Sequence, residues 1–120
     1  MGKSGAVGIR RVVNVAGYSF AGLGAAWRSE SAFRQESVLA VILVPLAFVF
    51  GDNATEIALL LMTLIIVLIT ELLNSAVEAT IDRIGLEHHE LAGRAKDMGS
   101  AAVFLSLCLV IAVWSLVIVS

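Results

Sequence analysis

The chain is short of nearly everything a soluble domain is built from. Its 120 residues include one cysteine, Cys108, and one proline, Pro45. A lone cysteine excludes an intrachain disulfide and any thiolate metal cluster, so Cys108 reads as a small apolar packing residue. Charged residues make up only 15% of the chain, against about 25% in ordinary soluble domains. No GxxxxGK[ST] loop, HRD or DFG element or HExxH helix is present, and Gly22-Leu23-Gly24 is an isolated GxG with no strand before it. The soluble nucleotide-binding folds are therefore excluded. A net charge of −2 with no basic cluster gives nucleic acid nothing to bind. The first 30 residues also lack the continuous apolar run and small-residue site of a cleavable signal peptide.

What the chain has instead is apolar surface, 59% of all residues, more than a domain of this size could hide from water. Three stretches, 32–50, 54–84 and 91–119, each reach the roughly 20 residues needed to cross a hydrocarbon core about 30 Å thick. The expectation is an all-α membrane protein forming one domain over 1–120. It comprises a tail over 1–7, an N-terminal surface helix over 8–28, and spans over 30–50, 54–84 and 91–119. In the surface helix, Ile9, Val12, Val13, Ala16, Phe20, Leu23 and Trp27 recur at steps of three and four, interrupted by Gly17, Gly22 and Gly24. Such a helix lies on a membrane rather than through it. Arg11, Asn14 and Tyr18 line its other face.

All eight cations sort to one side. Lys3, Arg10, Arg11, Arg28 and Arg34 lie before or at the start of the first span, and Arg83, Arg94 and Lys96 lie between the second and third. The positive-inside rule then puts the N-terminus and the 83–97 segment in the cytoplasm and the C-terminus outside. Asp52 or Asn53 is placed to cap the second span, Gly85 to end it, and Pro45 to bend the first.

Against this apolar background one stretch stands out, ELLNSAVEATID. At about 100° per residue, Glu71, Asn74, Ser75, Glu78 and Asp82 fall on one helical stripe. Desolvating a carboxylate costs several kcal/mol unless a cation, partner or water compensates, so acids running out of an apolar helix mark a functional site. Counting about 1.5 Å per residue from Ala54, Glu71 sits about 26 Å along the span, just inside its inner boundary, with Glu78 and Asp82 beyond it. Glu30, Arg34, Gln35 and Glu36 gather at the same depth, as do Glu87, His88, His89, Lys96 and Asp97. Gly99, Ser100, Ala101 and Ala102 suit close helix packing. An ion path would need polar groups on both sides of the membrane. One polar layer suits an enzyme that meets a lipid from the bilayer and a soluble substrate from the cytosol. Carboxylates to hold Mg²⁺, cations to neutralise phosphate and a further carboxylate as proton acceptor are the minimum set for phosphoryl transfer.

Four blocks, AGYSFAGLGAAW, ESAFRQE, ELLNSAVEATIDRIG and HELAGRAKDMGSAAV, resemble in order and spacing the small integral-membrane diacylglycerol kinases of bacteria. The resemblance covers Arg11 to Val103. It departs at Asn14, Ala21 and Gly24, where relatives often carry basic residues, and at His88, where an aromatic is common. It implies a homotrimer in the bacterial inner membrane, with active sites shared between subunits, that transfers the γ-phosphoryl of MgATP to diacylglycerol to give phosphatidic acid. By motif, Glu71 would be the general base with Asn74 supporting it, and Glu30 and Glu78 would hold Mg²⁺. ATP would be contacted by Arg11, Tyr18, Glu30, Glu78, Glu87, His88, His89, Lys96 and Asp97. The lipid would be met by Ala16, Trp27, Arg34, Gln35, Glu36, Glu71 and Ser100.

Three other readings compete. An undecaprenol kinase resembles the same family, but RQE, Trp27 and the intact HELAGRAKDMGSAAV block favour diacylglycerol. A small proton-coupled exporter predicts polar groups near mid-membrane. A non-catalytic assembly protein would use its acids only to pair with Arg83, Arg94 or Lys96.

Overall fold

The computed structural model describes residues 4–85 and 90–120, with side chains from residue 8 onward. Four helices follow one another: α1 (Ser4–Ser29), α2 (Ser31–Phe50), α3 (Ala54–Ile84) and α4 (Glu90–Val119). The last three are each long and apolar enough to cross a membrane, where a helix is favoured because it satisfies its own backbone hydrogen bonds. Residues 4–7, where the sequence suggested a tail, are already helical. Nothing in Ser-Gly-Ala-Val forbids one more turn, since proline is absent and a helix once nucleated propagates cheaply. Pro45 lies inside α2, which runs on through it.

Each junction is made by identifiable groups. Between α1 and α2 a single residue, Glu30, is extended (φ −118°, ψ 106°). The Arg34 guanidinium reaches back and donates to the carbonyls of Trp27 (2.8 Å) and Arg28 (3.2 Å). Carbonyls in the last turn of a helix have no partner within it, so Arg34 closes α1 from the first turn of α2. The turn between α2 and α3 is tighter still. A Cβ on Gly51 would stand 2.6 Å from Ile57 Cγ1 and 3.0 Å from the Ala47 oxygen, so only glycine fits. Asn53 then caps α3, its Oδ1 accepting from the Glu56 amide (2.9 Å), while the Glu56 carboxylate accepts from the Asp52 amide (2.8 Å). At the far end of α3 the Gly85 amide donates to the Ile81 carbonyl, and its φ of −177° is extended backbone open to any residue.

The helices α3 and α4 share the most extensive seam, α2 packs on α3, and α1 touches α2 and α3 only lightly. The core formed by Ala47, Leu60, Leu64, Trp114 and Val117 lies toward the end of the bundle that holds the α2–α3 turn. There the Trp114 indole donates to Thr63 Oγ1 (3.0 Å), which itself donates to the Leu60 carbonyl (2.7 Å). Phe50 meets the Trp114 ring edge-on, with centroids 6.5 Å apart. Away from that end packing thins. The radius of gyration is 18.0 Å, whereas a self-contained domain of this length would have about 14 Å. The principal extents of 49 × 47 × 25 Å give two long directions, as a long helix crossing the bundle axis requires.

Candidate functional site

The inward face of α3 is written by Leu60, Leu64, Val67 and Glu71, at steps of four, three and four, with Thr63 beside Leu64, and all five are buried. Glu71 is thus the next member of the core stripe, 6% exposed, and it is the one carboxylate among the buried residues described. One turn and two turns further on come Asn74 and Glu78, both half-buried. The Asn74 amide donates to Glu78 Oε1 over a long 3.4 Å.

Two other elements bring acids to the same place. Glu78 and Glu30 both lie within Coulombic reach of Glu71, and so does Glu36 of α2. Glu36 Oε2 and Asn74 Oδ1 are buried and accept no hydrogen bond from any described residue. At Glu30 these acids border an open, mostly apolar cleft of about 620 Å³ between α1 and α3, whose polar lining comes from Ser19, Ser29, Glu30 and Ser75. Four carboxylates from three elements, with buried acceptors that lack donors, next to an apolar cleft, suit a ligand that brings hydroxyl groups on one side and hydrocarbon on the other.

Asp82 behaves differently. It is ion-paired with Lys96 Nζ at 3.0 Å, across the α3–α4 seam. Arg94 pairs with Glu90 within α4 at 3.6 Å. Glu71 and Glu78 form no ion pair with Arg83, Arg94 or Lys96, so the stripe is not there merely to tie the helices together.

The remaining expected positions are less gathered. Arg11, Ala16 and Tyr18 stand exposed on α1, and the side chains of Arg11 and Tyr18 make no hydrogen bond or ion pair with a described residue. Trp27, Gln35, Asp97 and Ser100 are also exposed. Arg34 is occupied at the α1–α2 junction. Glu87, His88 and His89 lie outside the described residues. Two features were not expected: Ser19 and Ser29 beside Ser75 in the lining of the cleft, and the approach of Gly99, where an added Cβ would collide with Asn74 Oδ1. Of the small residues at 99–102 expected to pack closely, Gly99 does so, against Asn74, while Ser100, Ala101 and Ala102 are exposed.

No group of three or more His, Cys, Asp or Glu converges as a protein-only metal cage among the described residues. A Mg²⁺ ion carried by a nucleotide needs only one or two carboxylates, its other positions being filled by phosphate and water. Glu30 and Glu78 match that donor set.

Three membrane-length helices mark a membrane protein, with a carboxylate cluster bordering an apolar cleft. The family model for prokaryotic diacylglycerol kinase matches residues 17–118, and the chain belongs to that family. It is 51% identical over 107 residues to a diacylglycerol kinase of Haemophilus influenzae, covering 89% of this chain and 91% of the relative. A Pseudomonas aeruginosa diacylglycerol kinase is 47% identical over 114 residues (95% and 93%). One of Escherichia coli K12 is 47% identical over 111 residues (92% and 91%).

Proposed function

We propose that this protein is an ATP-dependent diacylglycerol kinase whose acid cluster is the phosphoryl-transfer centre. The observation that carries the reading is Glu71, a carboxylate at the end of a buried apolar stripe with three further acids around it. A carboxylate held there is suited to take the proton from the lipid's primary hydroxyl as that oxygen bonds to the γ-phosphorus and the bond to ADP breaks, giving phosphatidic acid. Asn74 orients Glu78 through its amide. Glu30 and Glu78 hold Mg²⁺, which when bound neutralises the charge on the transferring phosphoryl group. Lys96 can meet a phosphate without leaving Asp82, since an ammonium has three donors.

The same reading gives Arg11, Tyr18, Glu87, His88, His89 and Asp97 to the nucleotide, and Ala16, Trp27, Arg34, Gln35, Glu36 and Ser100 to the path of the lipid. In it α1 lies on the cytoplasmic surface of the bacterial inner membrane with its apolar face to the lipid, and the C-terminus is outside. The active unit is a homotrimer with sites shared between protomers. The uneven sorting of Lys and Arg and the extended dimensions of the protomer support this arrangement.

Purified protein in mixed micelles with MgATP should convert dioleoylglycerol to phosphatidic acid and leave undecaprenol largely untouched. No phosphatidic acid from the first, or faster turnover of the second, would overturn the substrate assignment. Glu30→Gln and Glu78→Gln should each raise the Mg²⁺ concentration for half-maximal rate, and an unchanged titration in both would remove them as metal ligands.

A further inference from the structure

We infer that Gly99, on α4, is a positioning residue for the Asn74–Glu78 pair, because the missing side chain at 99 is what leaves room for the Asn74 amide. This rests on the reading above in one respect, the role of Glu78 toward Mg²⁺.

The argument is steric. A Cβ at 99 would overlap Asn74 Oδ1 and crowd Asn74 Cγ at 3.2 Å, so an alanine there forces something to move. The Asn74 amide is the end of a rotatable side chain, whereas α4 is packed along α3 over the most extensive seam of the molecule, so the side chain gives way before the helix does. The amide must therefore swing. The bond from the Asn74 NH₂ to Glu78 is already long at 3.4 Å, so a small displacement of the amide is enough to break it. Reversing the amide in place fails too, since it would set the Asn74 oxygen against the Glu78 carboxylate. Buried Oδ1 has no competing hydrogen bond to hold it, so its placement depends on the gap at Gly99.

The test compares Gly99→Ala, Asn74→Ala, the double variant and Glu78→Gln, each as full-length protein in micelles. Three quantities are read: the Mg²⁺ requirement, calorimetric affinity for a non-hydrolysable ATP analogue with Mg²⁺, and the thermal unfolding midpoint. Gly99→Ala should raise the Mg²⁺ requirement and weaken analogue binding by about threefold or more, the lower end of what losing one hydrogen bond does. In the Asn74→Ala background the same change should move neither, because its effect passes through Asn74. The midpoint should fall with Gly99→Ala alone and recover in the double variant, where alanine's helix preference over glycine works unopposed.

If Glu78→Gln shifts the Mg²⁺ requirement and Gly99→Ala does not, the inference is overturned and the kinase reading stands. If Glu78→Gln shifts nothing, the metal assignment fails, and the unfolding cycle alone decides whether Gly99 seats Asn74. An equal loss of midpoint in both backgrounds marks residue 99 as helix packing only and overturns the proposal. Should Gly99→Ala fail to fold, the double variant must restore folded protein, and its failure to do so has the same meaning.

Discussion

Glu71 differs from the other acids of α3 in its surroundings. Glu78 has an amide donor and Asp82 has a lysine, whereas Glu71 continues the row that begins with Leu60 and Leu64. A carboxylate in that position has no structural reward, since replacing it with an apolar residue would extend the core. Its cost to the fold points to chemistry. Accordingly Glu71→Gln should reduce turnover by more than tenfold while the affinity for an ATP analogue with Mg²⁺ stays near that of the native protein. Retention of more than a tenth of the rate would remove Glu71 as the base. The stripe itself was legible in the sequence because helical geometry alone places residues 71, 74, 78 and 82 together. Which member is buried was not, as that depends on how α2 and α4 close around α3. Pairing of these acids with Arg83, Arg94 or Lys96 could be anticipated, but that Asp82 alone would take Lys96, 14 positions away, depends on the register of α4 against α3.

At the level of the helices, length and apolar content made α2, α3 and α4 evident, and turn chemistry narrowed the cap of α3 to Asp52 or Asn53, of which Asn53 makes the bond. What local pattern could not supply was register between helices. The Thr63–Trp114 bond spans 51 positions, and both residues read in sequence as ordinary members of an apolar run. Only their packed neighbours explain a hydroxyl and an indole at one depth. Thr63→Val keeps the volume and leaves the indole N–H without a partner, which should cost roughly 1–2 kcal/mol of stability. The unfolding midpoint in detergent should drop while specific activity well below that midpoint is unchanged, because the bond lies far along α3 from Glu71. A matching loss of activity at low temperature would mean that the core end communicates with the site. The gap between Asn74 and Gly99 is another consequence of register, visible in sequence only as a run of small residues.

As a whole molecule, the chain is extended and leaves most of its large apolar side chains uncovered. Bilayer lipid can cover them, but lipid does not explain why Arg11 and Tyr18 stand exposed on α1 with no bond to the acids. If α1 of one protomer serves the acids of another, two defective chains can repair each other. Co-assembled Arg11→Ala and Glu71→Gln protomers should then exceed the summed activity of the separate preparations, whereas simple addition would confine each site to a single chain. Biogenesis is constrained by the short junction after α2. From Gln35 to Asp82 the chain contains no lysine or arginine, and the Gly51 turn folds the two helices of that stretch back on each other. In the proposed orientation α2 and α3 can therefore enter the membrane as a closed hairpin, with only Asp52 and Glu56 to be carried across and basic residues at both ends to halt it.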